Sequence, residues 1–166
     1  EEVVDTYYIG ANGSHLKVFG LAFTDETFYA ATENGIYLAD RNDPNLAYFG
    51  AWSRDETMPS PYAVYNHIVN NAGIIFTNKY SEELHNDTIY FNRDGIWQYD
   101  TVSFDTYEIK ALKSFDNILY VAFRSSVNSY NTELDIIDNV YNFFPGVPKP
   151  LDVTVTDGEL WIADDR

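Results

Sequence analysis

The 166-residue sequence contains no cysteine, which excludes disulfide bonds, thiolate catalysis and cysteine-based metal sites. Basic residues are also scarce: 10 Lys and Arg stand against 26 Asp and Glu, which gives a net charge of −16. Nucleic-acid binding requires a basic surface, and so does attraction to an anionic membrane. We therefore expect no nucleic-acid partner and no direct membrane insertion. The acidity serves solubility or, alternatively, attracts cations and basic partners.

Long apolar runs and helical patterns are missing as well. No apolar run approaches the ~20 residues that a membrane-spanning helix needs. No dozen consecutive residues carry apolar positions at helical spacing. The sequence does not begin with Met and shows no signal peptide. We therefore expect a mature or recombinant segment of a longer protein.

What the sequence does contain is a repeat built from strands. Its 14 Tyr and 11 Phe favour β-structure, because aromatic side chains pack well on a pleated surface. A bend rich in Asp, Asn and Gly, followed by an apolar strand, occurs three times and a fourth time cut short, near residues 24–31, 70–76, 115–122 and 156–163. The alignment uses Tyr29, Ile75, Tyr120 and Trp161. Steps of 46, 45 and 41 residues separate the copies, a period typical of β-propeller blades.

The repeat predicts an all-β fold, namely a partial β-propeller of about three and a half four-stranded antiparallel blades, truncated at both ends. Propellers close with four to eight blades, so we expect the remaining blades of the same polypeptide as partners. The open strand edges favour dimerisation of the isolated segment. The predicted units are the trailing strand of a preceding blade at 1–9, blades at 16–52, 62–100 (with an insertion) and 105–142, and the first half of a blade at 150–166.

Local signals predict individual strands and turns. In the first blade, residues 46–52 are predicted as the fourth strand. Asn34-Gly35 indicates a primed two-residue turn, since Asn-Gly accepts positive φ angles. In the third blade, the fourth strand is predicted at 134–137.

Several segments, taken in order, resemble the N-terminal propeller of the PorZ-like surface components of the type IX secretion system in Bacteroidetes. They are residues 5–10, 29–39, Asn45-Leu46 before Trp52, and 160–164. The blades also resemble the two-component-regulator propeller repeat. Residues 32–37 match the characteristic strand pair of that repeat well, and residues 92–97 match it loosely.

The resemblance implies a non-enzymatic binding or assembly module in the periplasm or at the outer cell surface. Its partners would be secretion-complex proteins or a surface glycan such as lipopolysaccharide. Two alternatives stay open. One is the periplasmic sensor propeller of a hybrid two-component regulator, which would bind a glycan-derived ligand. The other is a polysaccharide hydrolase or lyase, which would need two carboxylates in one cleft.

Three aspartates are candidate ligand contacts. Asp25, Asp116 and Asp157 occupy equivalent bends, so the propeller places them on one face. The structural alternative is that Asp in a bend caps its own backbone N–H groups and tolerates unusual φ angles. We name no catalytic residue and expect no cofactor.

The other candidate contacts are Trp52, which is expected to be exposed because its surroundings are irregular, and the nearby Arg54. Trp97 and Trp161 are predicted to pack between blades.

We expect no metal site. Residues 40–45 offer oxygen ligands for Ca²⁺ but lack the Gly and closing Glu of an EF-hand loop. The three histidines show no paired ligand spacing: His15, His67 and His85.

Overall fold

The chain forms an all-β partial propeller, as predicted. The computed structural model describes residues 7–81, 87–99, 108–124, 126–133, 135–142 and 150–164. Within these ranges there are three four-stranded antiparallel sheets, one two-stranded sheet and no α-helix. Each sheet is a blade whose strands follow one another in chain order, because short turns join neighbouring antiparallel strands.

The blades are numbered 1 to 4 in chain order, and their strands β1 to β14. Blade 1 contains β1 (Val18–Phe23), β2 (Thr27–Thr32), β3 (Gly35–Asp40) and β4 (Ser53–Arg54). Blade 2 contains β5 (Tyr65–Asn71), β6 (Ile74–Lys79), β7 (Thr88–Arg93) and β8 (Ile96–Tyr99). Blade 3 contains β9 (Ile109–Phe115), β10 (Ile118–Phe123), β11 (Ser126–Tyr130) and β12 (Ile136–Asn142). Blade 4 contains β13 (Pro150–Thr156) and β14 (Glu159–Asp164). Short 3-10 helices lie at Ala11–Gly13 and Phe49–Ala51.

Adjacent blades pack face to face through apolar clusters. The first strands β1, β5, β9 and β13 contact one another in sequence, as the innermost strands of a propeller do. Ala31 and Ile36 of blade 1 share a cluster with Ile75 of blade 2. Phe76 of blade 2 and Leu119 of blade 3 share the next. A smaller cluster joins blades 3 and 4, so each interface between the described blades contains an apolar cluster.

The structure corrects the alignment of the second repeat. Two-residue turns pair Asn71 with Ile74 and Phe115 with Ile118, which makes Phe76 the equivalent of Tyr120. Ile75, on which the sequence alignment rests, instead packs with the blade 1 cluster. A slip of one residue moves a side chain to the opposite face of a strand. The repeat is correct, but its register in blade 2 is wrong by one position.

The Asn34-Gly35 turn also differs from its prediction. Thr32 pairs with Gly35, so Glu33 and Asn34 form the turn. Only Gly35 takes a positive φ, of 104°, so the turn is not the primed type, which needs positive φ angles at both of its central residues. A Cβ at Gly35 would lie 2.2 Å from the carbonyl oxygen of Pro61, so the close approach of that loop requires glycine.

Two predicted fourth strands are misplaced. Residues 46–52 form turns and a 3-10 helix, and the edge of blade 1 is the two-residue β4, which pairs with Tyr37 and Leu38. In blade 3 the fourth strand is Ile136–Asn142, which extends beyond the predicted 134–137; residue 134 lies outside the described part of the chain. Residues 7–9 of the predicted trailing strand form no strand. Its residues 1–6 lie outside the described part of the chain, as do His85 and residues 105–107 and 165–166.

Candidate functional site

The three candidate aspartates lie on one face, here called the turn face, which carries the turns between the first and second strands of the blades. All three are exposed. Asp116 and Asp157 adopt positive φ angles of 50° and 52°, which Asp tolerates better than most residues. Their position is therefore explained by turn conformation. Asp25 is not among the positive-φ residues, so the same explanation does not apply to it.

Asp25 borders a polar cleft between blades 1 and 2. The cleft has a volume of about 450 Å³ and combines carboxylates with the exposed aromatic ring of Phe23. Carboxylate oxygens accept hydrogen bonds from hydroxyl or ammonium groups, and an exposed ring offers an apolar wall. Its lining residues are Phe23, Thr24, Asp25, Glu26, Asn70 and Gly73.

The loop that carries Asp25 is held from both sides. Asn70 of blade 2 donates from Nδ2 to the carbonyl oxygen of Phe23 at 2.6 Å. Arg41 donates from Nη1 to the carbonyl oxygen of Thr24 at 3.0 Å, and its guanidinium carbon lies 4.6 Å from the centre of the Phe23 ring. Thr24 Oγ1 accepts the backbone N–H of Thr27 at 3.1 Å. The conformation of this loop is thus fixed by contacts within the protein.

Trp52 is not exposed, and that prediction is wrong. Only 9% of the residue is accessible. Its Nε1 donates to the carbonyl oxygen of Leu46 at 2.9 Å, and its ring lies 6.4 Å from that of Phe28. The irregular loop before Trp52 folds back and supplies the acceptor that a buried indole needs.

Arg54 lies apart from the turn-face cleft and is occupied by local contacts. Its Nε donates to Oε1 of Glu56 at 2.9 Å, and its guanidinium carbon lies 3.9 Å from the centre of the Tyr62 ring.

The three candidate aspartates each lie in a different blade: Asp25, Asp116 and Asp157. Among the described residues, no group of three or more His, Asp or Glu could hold a metal ion.

Trp97 packs between blades as predicted and forms a buried polar contact there. Its Nε1 donates to Oδ2 of Asp55 at 2.7 Å, and Asp55 Oδ1 accepts the backbone N–H of Thr57 at 2.9 Å. Both Trp97 and Asp55 are buried, so a carboxylate from the end of blade 1 is bound to the outer strand of blade 2. Burial and then the Asp55 charge raise the pKa of Tyr29 above its ordinary value.

A second buried carboxylate links blades 2 and 3. Asp87 Oδ2 accepts the side-chain amide of Asn78 and the backbone N–H of Ile109, each at 2.9 Å. Asn78 Oδ1 in turn accepts the backbone N–H of His67 at 2.9 Å. Burial raises the pKa of Asp87, and these hydrogen bonds oppose the rise. Asp55 and Asp87 were missed by the sequence analysis because nothing local distinguishes them from surface aspartates.

His67 gives this interface a predicted pH dependence. Burial lowers the pKa of His67 below 6.5, and Lys113 acts in the same direction. The unfolded chain therefore binds a proton before the folded chain does, so stability is lost as the pH falls from about 6.5 through the folded value. In urea titrations between pH 8 and pH 5, we expect His67→Gln to lose less stability on acidification than the wild type.

The control for this prediction is Thr77→Val. Thr77 Oγ1 donates to the carbonyl oxygen of His67 at 2.7 Å, so its removal weakens the packing of His67 within blade 2 without removing a titrating group. It should lower stability at every pH and leave the pH dependence as in the wild type. An unchanged pH dependence in His67→Gln would contradict the assignment.

Comparisons with known proteins support the fold. No protein-family model matches the sequence, and no curated protein matches it. The extracellular domain of a putative hybrid two-component system from B. thetaiotaomicron is similar with a TM-score of 0.61 and 13% identity, over 94% of this chain and 21% of that one. Apo AztD from Citrobacter koseri is similar with a TM-score of 0.53 and 14% identity, over 89% of this chain and 41% of that one.

The chain therefore spans less than half the length of either structure. At these identities the likeness establishes the fold and does not carry over a ligand or a partner. Across the part of the chain that the structure describes, no helix is long and apolar enough to cross a membrane.

Proposed function

We propose that this chain is part of a non-enzymatic propeller that binds a partner in the periplasm or at the outer cell surface. The observation that carries the proposal is the polar cleft of the turn face, whose loop is fixed by Asn70 and Arg41. Within the described residues, the Asp25 side chain has no hydrogen-bond partner. Its acceptors are thus available to a ligand, and a preorganised loop reduces the entropic cost of binding.

Four other aspartates have roles in folding. Asp55 and Asp87 are buried and join blades, whereas Asp116 and Asp157 occupy left-handed turn positions. The repetition of Asp along the chain therefore needs no catalytic explanation. This division of roles supports binding rather than catalysis.

We further propose the PorZ-like type as the finer assignment, carried by the resemblance of residues 29–39 and the other matched segments. Its partners would be secretion-complex proteins or a surface glycan such as lipopolysaccharide. The net charge of −16 disfavours the binding of an anionic ligand to the protein surface in general. A glycan at the Asp25 cleft would therefore be bound through neutral hydroxyl or cationic amine groups.

A second candidate is a sensor propeller that binds a glycan-derived ligand. The likeness to the extracellular domain of a hybrid two-component system and to the two-component-regulator repeat favours it. This candidate uses the same cleft but expects a free oligosaccharide rather than an envelope component. The two candidate functions therefore differ in the ligand that they predict.

The test is calorimetric titration of the purified chain with neutral oligosaccharides in one arm and lipopolysaccharide in the other. We expect Asp25→Asn to weaken binding of the active ligand about 10-fold or more, because a hydrogen bond to a charged group contributes ~1.5–3 kcal/mol. Asp116→Asn is the matched control, since Asn also tolerates the left-handed turn, and it should bind like the wild type.

The outcomes separate the hypotheses. Binding in the lipopolysaccharide arm supports the secretion type, and binding in the oligosaccharide arm supports the sensor. New reducing ends or unsaturated products would contradict a non-enzymatic role. Equal losses in Asp25→Asn and Asp116→Asn would contradict the cleft as the binding site, and no binding in either arm would contradict a glycan ligand.

A further inference from the structure

A second polar cleft, here called the outer cleft, adjoins the Asp25 cleft on blade 1. Its volume is about 510 Å³. It opens at the turn-face end of the outer strands, where β3 ends at Asp40 and β4 begins at Ser53. Glu26 lines the outer cleft and the Asp25 cleft alike, so the two clefts meet at this residue.

The outer cleft lies on the side of blade 1 that faces blade 2. Tyr29 and Leu38 form a cross-strand pair and pack on the apolar cluster that these two blades share. Thr27 and Asp40 form the pair two positions further along the same strands. Side chains two positions apart lie on the same face of a strand, so Thr27 and Asp40 also face blade 2. The two clefts therefore form one groove along the seam between blades 1 and 2, whose four strands each are described.

The groove offers hydrogen-bond acceptors that the protein does not use. Within the described residues, the side chains of Glu26 and Ser53 have no hydrogen-bond partner. Asp40 uses only Oδ1, which accepts the backbone N–H of Asn42 at 2.8 Å, and an ionised carboxylate has about four acceptor positions. The backbone of Glu26 is held in place, because the backbone N–H of Arg41 donates to its carbonyl oxygen at 2.8 Å. A ligand that carries donors along its length would meet acceptors in both clefts.

Building on the proposed function, we propose that the groove binds an elongated oligosaccharide of several sugar units. One part of the chain occupies the Asp25 cleft and another part occupies the outer cleft. Each cleft alone has the ~300–1,000 Å³ of an ordinary small-molecule site, so a ligand that fills both is longer than one that fills either. Each sugar unit supplies hydroxyl donors. Once one unit is bound, the next binds as an intramolecular step, and affinity therefore rises with chain length.

Calorimetric titration with a length series tests the proposal. The probes are N-acetylglucosamine oligomers of one to six units and the same oligomers after deacetylation, which places an ammonium group on each unit. In the series that binds, we expect the affinity to rise about 10-fold or more between two and six units.

Variants locate the length dependence in the outer cleft. Asp40→Asn should weaken binding of the six-unit oligomer about 10-fold and leave binding of the two-unit oligomer unchanged, whereas Asp25→Asn should weaken both. Asp43→Asn is the matched control. Asp43 makes the same kind of turn contact, accepting the backbone N–H of Asn45 at 2.8 Å, but it lines neither cleft. It removes the same charge and should bind like the wild type.

The outcomes separate this proposal from the proposed function. An affinity that stays level from two to six units, or equal effects of Asp40→Asn and Asp43→Asn, would overturn the extended groove. If Asp25→Asn still weakened binding in that case, the Asp25 cleft would stand as the binding site. Binding that does not respond to Asp25→Asn would contradict the proposed function itself, and no binding in either series would overturn both.

Discussion

Replacing Phe76 with alanine should lower the free energy of unfolding by about 3–5 kcal/mol. Phe76 is fully buried in the cluster that joins blades 2 and 3, and its ring packs 6.1 Å from that of Phe91. Alanine would leave a cavity between two sheets whose backbones are tied by their own strand pairing, so the interface cannot easily collapse. The loss would be a large share of the ~5–15 kcal/mol that stabilises a typical domain. Equilibrium urea unfolding followed by tryptophan fluorescence measures it.

The control for this substitution is Phe115→Ala. Phe115 is 38% exposed, and its loss should cost ~1 kcal/mol or less. A double-mutant cycle then tests the corrected register. Phe76→Ala should couple with Leu119→Ala in the same cluster and should be additive with Ile36→Ala in the neighbouring one. The opposite pattern would contradict the assignment of Phe76 to the interface with blade 3.

The repeat and the strands could be predicted because the signals that encode them are local. Turn residues such as Asp116-Asn117 and Asp157-Gly158 accept the positive φ angles of tight hairpins. Because an apolar strand lies on each side of such a turn, the two strands pair antiparallel. The turn at Thr24-Asp25 lacks this signature, and its conformation depends instead on hydrogen bonds from Arg41 and Asn70.

The register of blade 2 could not be predicted with the same certainty, because Ile74, Ile75 and Phe76 are all apolar. A strand buried on both faces carries no alternation from which to read its orientation. The burial of Trp52 has a similar cause. It depends on a carbonyl oxygen of Leu46 that a folded-back loop supplies, and composition does not reveal that loop.

The same distinction between local and long-range signals applies to the candidate site. Sequence reasoning identified Asp25 from its place in the repeat, but it could not separate Asp25 from Asp116 and Asp157. Only the backbone angles and the cleft make that distinction. The buried Asp55 escaped notice because its partner lies 42 positions away in the chain, and a long-range contact of that kind leaves no local pattern.

Asp55→Ala should lower the free energy of unfolding by about 2–4 kcal/mol. The substitution leaves the Trp97 indole N–H and the Thr57 backbone N–H without their acceptor. A buried donor left unpaired costs ~1–3 kcal/mol. Relief from burying the carboxylate offsets part of this cost. Because Trp97 is buried beside the lost carboxylate, its fluorescence reports both the change in environment and the unfolding transition.

Asp40→Ala is the matched control for Asp55→Ala. Asp40 accepts the backbone N–H of Asn42 at 2.8 Å, the same kind of turn contact that Asp55 makes with Thr57, but it is exposed and contacts no indole. Its loss should cost about 1 kcal/mol or less. The additional loss of unfolding free energy in Asp55→Ala then measures the contribution of the Asp55–Trp97 hydrogen bond between blades 1 and 2. In a cycle with Trp97→Phe, the two substitutions should be strongly non-additive, since either one removes the same bond. Additive effects, or equal losses in Asp40→Ala and Asp55→Ala, would mean that the carboxylate stabilises its own turn and not the interface.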